Sequence, residues 1–284
     1  MSKKNSNVNL KNGFQNYDDL SKVFLNFKDK LNALNKKSYV VAVSGGPDSL
    51  ALVALSESYK LFNNIRFYYI LIDHGLRKNS NLEAKQVKAL LKKKNISLKI
   101  FQNKKKITKN IQAQARNARY KIISDYCKKK SVKVVLTAHN LEDQVETFFI
   151  RLSRGSGIKG LSAMKPLSKI NNSVNLYRPL LDVKKNFLIR ISKNIFGKYI
   201  KDPSNKDIKY LRTKVRTLKK PLEKSGIKYE QIFKSIQNLS LSEATLAGYF
   251  NKTFKKLIRK KNKEISINFQ KFKKLNNDAK IALI

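Results

Sequence analysis

Apolar residues recur along this chain in two alternating rhythms. Over residues 17 to 35, Leu20, Val23, Phe24, Phe27, Leu31 and Leu34 fall at helical spacing behind two possible caps, Asp18 and Asp19, which predicts an entry helix. Residues 39 to 43 are a short continuous apolar run closed by SGGPDS, and helical density resumes at Leu50. That reads as strand, glycine turn, helix. The unit recurs: strands are predicted over 67 to 72, 97 to 101 and 132 to 137, and helices over 82 to 91, 111 to 127 and 142 to 152. Short apolar strands alternating with amphipathic helices predict a Rossmann-like α/β fold, a parallel sheet with helices on both faces.

From Arg154 to Leu180 the pattern breaks into glycines, serines and prolines, the composition of active-site loops. The sheet domain is expected to end near Lys198. Beyond the DPSN turn at 202 to 205, a smaller basic region reads as helical, interrupted by Pro221 and Gly226. The predicted divisions are a leader and entry helix over 1–37, the sheet domain over 38–200 and the basic helical region over 201–284. The chain stops on the apolar run 281 to 284, either a packed element or a truncated reading of something longer. No internal repeat is found.

Composition narrows the class. With 284 residues, 41% of them hydrophobic, the chain can bury a proper core. Lys plus Arg total 62 against 19 Asp plus Glu, a formal charge of +43 that calls for a polyanionic partner, with nucleic acid the first candidate. No stretch approaches a membrane span and the N-terminus lacks the apolar core of a signal peptide, so a cytoplasmic location is expected. A single cysteine, Cys127, read as a half-buried helix residue, excludes a disulfide framework and any two-thiol mechanism. Of the basic residues 51 are Lys and only 11 Arg, the bias expected of AT-rich codons. Arg is therefore the more telling cation, and eight of the 11 lie in or beside motifs: Arg77, Arg116, Arg119, Arg151, Arg154, Arg178, Arg212 and Arg216.

In an open parallel sheet, ligands sit beyond the carboxyl ends of the strands, where the first strand-to-helix turn lies. In SGGPDS, Gly45 and Gly46 can leave amides bare, Ser44 and Ser49 add hydroxyls, Pro47 suits a first helical turn, and the helix presents its positive end. The site suits phosphate without being a Walker loop or a GxGxxG turn. Asp48 beside phosphates implies a magnesium ion or a proton to be moved. His74 and His139, the only histidines, each follow a predicted strand and should open onto the same crevice. Glu142, Asp143 and Glu146 are the densest acidic spot. Asp143 and Glu146 share a helix face and suggest a bound metal or ammonium group, although Asn140 with Asp143 would also make an ordinary cap. Gln112, Arg116 and Arg119 form one polar face of the preceding helix, suited to phosphate or a base edge.

Taken in order, SGGPDS, IDHGLR, QARNARY, TAHNLEDQVET, RGSGIKGL and KDPSN followed by YLRTKVR closely resemble the tRNA(Ile)-lysidine synthetases of the PP-loop, or N-type ATP pyrophosphatase, superfamily. The matches span roughly residues 38 to 220. The resemblance implies an ATP-dependent ligase forming a carbon–nitrogen bond. The C2 oxygen of the wobble cytidine in the CAU anticodon of tRNA(Ile) attacks the α-phosphate of ATP, and the ε-amino group of L-lysine then displaces AMP. It implies ATP and magnesium at Ser44, Gly45, Gly46, Pro47, Asp48, Ser49 and His74, with the metal on Asp48, and catalysis by Asp48, Arg116 and His139. L-lysine falls to Asp143 and Glu146, and the tRNA to Arg119, Arg154, Arg212, Arg216 and the region 201–284. A homodimer is the oligomer considered, and no membrane partner is expected.

The chain departs from the family where AHH and DDQ are common: it has Ala138-His139-Asn140 and Glu142-Asp143-Gln144. Its C-terminal region is short beside the longer forms. Rival PP-loop chemistries are disfavoured, since thiolation needs cysteine pairs or a cysteine-bound cluster and amidation needs an N-terminal cysteine or a glutaminase domain. A basic RNA-docking protein with an inactive PP-loop is the non-enzymatic alternative.

Overall fold

The computed structural model describes residues 17–75, 79–103, 111–200, 211–261 and 264–283. The leader, the end of the IDHGLR motif with Arg77, and the KDPSN turn lie outside the described residues. Contacts divide the chain into two units, residues 1–144 with 164–217 and residues 145–163 with 218–284.

The first unit is built on a six-stranded sheet in the order β3-β2-β1-β4-β6-β5. Its strands are β1 (Ser38–Val43), β2 (Arg66–Asp73), β3 (Leu98–Gln102), β4 (Val134–Leu136), β5 (Leu167–Lys169) and β6 (Asn175–Tyr177). All neighbours run parallel except β5, which returns antiparallel against β6 at the edge. The expected parallel sheet is therefore present, with two short strands in a stretch read as loops. Helices α1 (Asp18–Leu34), α2 (Pro47–Lys60), α3 (Ser80–Lys92) and α7 (Lys185–Phe196) bury their apolar stripes in one core with Tyr39, Val41, Val43, Leu71 and Leu136. On the opposite face, Val40, Ile70, Val135 and Leu176 pack against Ile123, Tyr126 and Cys127 of α4 (Ile111–Lys129). Cys127, expected half-buried, is fully enclosed there, and burial pushes its thiol up to about 12. Both faces being covered explains why β1, β2 and β4 read as unbroken apolar runs.

The strand order reverses between β2 and β4 on either side of β1, so the switch point lies beyond Val43 and Leu136. Four hydrogen bonds fix the loops around it. Lys30 of α1 donates to the Pro179 carbonyl and to Asp182, and Asn26 donates to the other oxygen of Asp182. The Leu141 amide, opening α5 (Leu141–Leu152), donates to the Val183 carbonyl at 3.0 Å.

The second unit holds the later part of α5, α6 (Ile158–Leu161), α9 (Lys219–Lys224), the 29-residue α10 (Tyr229–Leu257), a hairpin of β7 (Ile258–Lys261) and β8 (Glu264–Ile267), α11 (Phe269–Lys273) and α12 (Asn277–Leu283). Helix α8 (Leu211–Thr217) belongs to the first unit. The region beyond 217 is thus helical as expected, with one hairpin added. Gly226, at φ +86°, makes the expected break before α10. No helix among the described residues is long and apolar enough to cross a membrane.

Gly45 is the most tightly packed of the first unit's described glycines. It has φ +85°, and a Cβ there would lie 2.4 Å from Val87 Cγ2 of α3. The Gly45→Ala variant should lose about 1–3 kcal/mol to the left-handed backbone and a similar amount to overpacking against a stiff β-branched neighbour. Adding Val87→Ala should restore only the second part in thermal denaturation; full restoration would show that the backbone there is unstrained.

Candidate functional site

The glycine turn is organised by one hydroxyl. Ser49 is buried in the first turn of α2, and its Oγ accepts from the amides of Ser44 (3.1 Å) and Gly45 (3.0 Å) while donating to the Gly46 carbonyl (3.0 Å). Ser44 Oγ lies 3.1 Å from the same atom. Ser49 thus spends its proton inside the loop and shapes it. The Gly45 carbonyl takes the Ile200 amide, tying the turn to the chain beyond α7. Gly46 is the N-cap of α2 and Pro47 its first residue. The Asp48 and Ser49 amides precede the first intrahelical bond, from Leu50 to Gly46, so the positive helix end opens here.

Asp48 stands at that end. Burial pushes its carboxyl up to about 6, the carboxylates of Asp143 and Glu142 add to the rise, and Lys185 and Arg216 oppose it. Lys185 Nζ is 3.7 Å from Oδ2, an ion pair too long for a hydrogen bond, and the buried Oδ1 has no hydrogen-bond partner. An orphaned carboxylate oxygen at a phosphate-binding turn fits a magnesium ligand, with substrate phosphates and water supplying the remaining oxygens. No cluster of three metal-ligating side chains occurs among the described residues.

The acidic spot divides its work. The Asn140 side chain accepts from the Asp143 amide at 3.0 Å, and Asp143 Oδ2 accepts from the Asn140 amide at 3.1 Å, a reciprocal cap on α5. Asp143 Oδ1 also pairs with Arg216 of α8 at 3.8 Å. Glu142 accepts from the Lys185 amide at 2.9 Å and so caps α7, the helix that carries the partner of Asp48. Both departures from the resembled family, Asn140 and Glu142, are therefore capping residues. Gln144 pins the returning chain with two 2.8 Å bonds to the Met164 backbone.

His139 follows β4 and is half-buried, its Nδ1 3.1 Å from the Thr137 hydroxyl. Burial holds its imidazole down to about 4; Arg178, Arg212 and Arg116 act the same way against Asp143. It is neutral near pH 7 and cannot itself supply positive charge. Arg116 is exposed on α4 and lies over the Tyr120 ring. His74, after β2, accepts at Nε2 from Arg119 Nε (3.4 Å), and burial and Arg119 lower its pKa.

Of the sequence-derived residues, the first unit therefore gathers Ser44 to Ser49, His139, Asp143, Arg116, Arg212 and Arg216 at the carboxyl ends of β1 and β4, with His74 and Arg119 paired beyond β2. Glu146, buried one turn after Asp143, and Arg154, exposed after α5, belong to the second unit. In that unit Arg151 shapes the RGSGIKGL loop by donating to the Gly160 and Ala163 carbonyls, both at 2.7 Å. Lys185 was invisible in the sequence because Lys is the default cation. Arg178 had a signal, its rarity, but no assigned role.

A family profile for the PP-loop domain matches residues 19–222. A tRNA(Ile)-lysidine synthase of Wolbachia pipientis wMel is 37% identical over 226 residues, 78% of this chain and 52% of the relative. One of Orientia tsutsugamushi is 41% identical over 185 residues, 64% of this chain and 41% of the relative. The chain spans about half the length of the curated relatives it matches. Among solved structures, the U34-tRNA thiolase NcsA from Methanococcus maripaludis superposes with a TM-score of 0.64 at 19% identity, covering 78% of this chain and 79% of that one, a likeness of fold.

The Asp48 environment has a measurable cost. A carboxyl raised in the folded state gives stability that is complete below its unfolded value, near 3.9, and lost as pH rises through about 6. Asp48→Asn should therefore gain on the parent between pH 4 and pH 7 by on the order of 1–3 kcal/mol and then level off. A stability difference independent of pH, in thermal denaturation across that range, would contradict the assigned environment.

Proposed function

The chain belongs to the PP-loop family, and from that premise we propose that it is a tRNA(Ile)-lysidine synthetase, acting with ATP and magnesium on a tRNA(Ile) bearing a CAU anticodon and on free L-lysine, in the cytoplasm. The observation that carries the reading is the acid-bearing glycine turn set near enough to the Asn140–Asp143 cap for Asp143 to raise the Asp48 titration, within a chain 32–41% identical to relatives bearing that name.

In the first step the cytidine O2 attacks the α-phosphorus of ATP and pyrophosphate leaves with the electron pair of the broken P–O bond. Leaving charge accumulates on the pyrophosphate, which we assign to the glycine turn, where the α2 amides and helix dipole meet it. Asp48 would hold magnesium through its orphaned oxygen, and the ion would neutralise phosphate charge. His139 and Arg116 line the transferred adenylyl group, with His139 neutral and able to orient without repelling the arginines. In the second step the ε-amine of lysine attacks C2, the C2–O bond breaks, AMP departs with its electron pair, and the amine's proton passes to solvent water. Asp143 and Glu146 are assigned to the ammonium chemistry of lysine. An acid spot in so basic a chain gives that cation a place to bind.

The tRNA backbone is assigned to Arg119, Arg154, Arg212, Arg216 and the basic region 201–284, which carries 22 basic against 7 acidic residues. Arg216 also serves as the partner of Asp143, so part of its role lies inside the crevice. The single cysteine, buried on α4 far up its titration range, offers no thiol to a thiolation reaction.

The test is transfer of radiolabelled L-lysine to a tRNA(Ile) transcript with a CAU anticodon, with an elongator methionine tRNA as control. Labelling of the isoleucine tRNA alone is expected. Glu146→Ala should cut labelling at least tenfold while tRNA-dependent AMP–pyrophosphate cleavage continues, and Asp48→Asn should lose both. Pyrophosphate release without lysine transfer in the parent protein would keep ATP chemistry and refute lysine as nucleophile.

A further inference from the structure

Arg178 is the one arginine of the site region that the reading above leaves without a task, and its surroundings are unusual for a buried cation. It is 7% exposed. Its side-chain hydrogen bonds both leave Nη1, to the Lys165 carbonyl (2.8 Å) and to the Ser168 hydroxyl (2.9 Å), while the buried Nε has no partner. Neither acceptor carries charge, and no carboxylate pairs with Arg178 among the described residues. Its charged neighbour is another guanidinium, Arg116. A charge taken out of water is ordinarily paired, so a cation held this way awaits an anion from outside the chain.

The fold says where that anion would sit. Leu136 and Tyr177 are register partners in parallel β4 and β6, and the Thr137 amide donates to the Tyr177 carbonyl, so Arg178 leaves its strand beside the segment that leads to His139. Leu176 packs in the core under α4, and strand alternation puts residue 178 on that same face, with Arg116 and Tyr120. The glycine turn leads instead into α2, on the other face. Arg178 is therefore separated by the sheet's edge from the turn assigned to pyrophosphate, and it joins the group around His139 that includes Arg116 and Arg212.

We propose that Arg178 binds the phosphate of the adenylyl group, contacting it through transfer and holding the AMP that is released. This rests on the ATP-dependent reading given above. Three guanidiniums around one position suit a phosphate monoester better than a singly charged carboxylate, and a forked donor set matches two phosphate oxygens.

The experiment is isothermal titration calorimetry of the full chain with AMP, pyrophosphate and L-lysine, each alone. Arg178→Met should weaken AMP at least tenfold and leave pyrophosphate within twofold. Arg178→Lys, which keeps the charge and most of the packing, should show the same AMP-selective loss at smaller size, and it carries the test if the Met variant does not fold. Unchanged AMP affinity, equal losses for AMP and pyrophosphate, or a loss confined to L-lysine would each overturn the assignment. Failure of the parent chain to bind either AMP or pyrophosphate would overturn it too, and would locate the error in the ATP reading itself.

Discussion

A carboxylate held out of water with too few partners is the constraint around which the first unit is arranged. Asp48 sits at the positive end of α2, where the helix dipole favours its charge, yet burial and two neighbouring acids push its titration up to about 6. The protein answers with a single loose ion pair to Lys185 and leaves Oδ1 bare. Such an arrangement is costly in the free protein, and on the proposed reading a cation brought with the nucleotide would relieve it.

The rest of the unit holds that place open. Ser49 closes the turn so that Asp48 projects from a fixed helix start; Gly45 lets the turn pass against Val87 where a side chain would collide. Glu142 starts α7, and α7 delivers Lys185. Asn140 and Asp143 start α5, and α1 braces the 179–183 segment that receives the first amide of α5. Three helix starts, those of α2, α5 and α7, thus meet at the carboxyl ends of β1, β4 and β6. Caps, more than catalytic groups, account for most of the polar residues there. The two positions at which the chain departs from the family it resembles both serve as caps, so the departures leave the side chains proposed for the chemistry, Asp48, His139 and Asp143, in place.

Much of this was legible in the sequence, for a physical reason. Strands β1, β2 and β4 are covered on both faces and therefore read as continuous apolar runs, and the helices between them carry apolar stripes. SGGPDS was legible because two glycines, two hydroxyls and an acid in one turn have few other uses. What was missed lacked contrast. Strands β5 and β6 are three residues each, and Leu167–Lys169 is an edge with no buried residue. Strand β7 of the hairpin, IRKK, is mostly basic in a chain where lysine is everywhere. Helix α7 does carry a signal, with Leu188, Ile191 and Ile195 at helical spacing, but it follows a glycine- and serine-rich stretch whose composition is that of loops. Lys185 could not be told from 50 other lysines, whereas Arg178 stood out by type and lacked only its neighbours.

The most direct measurement is a carbon-13 carboxyl titration of Asp48, assigned by its absence in Asp48→Asn, in the free protein and with ATP and magnesium together. The account predicts a midpoint near 6 in the free protein that falls out of the range pH 5–8 when nucleotide and metal bind, because the ion holds the charged form. A free-protein midpoint near 4, or a midpoint near 6 that nucleotide and metal leave unmoved, would contradict it.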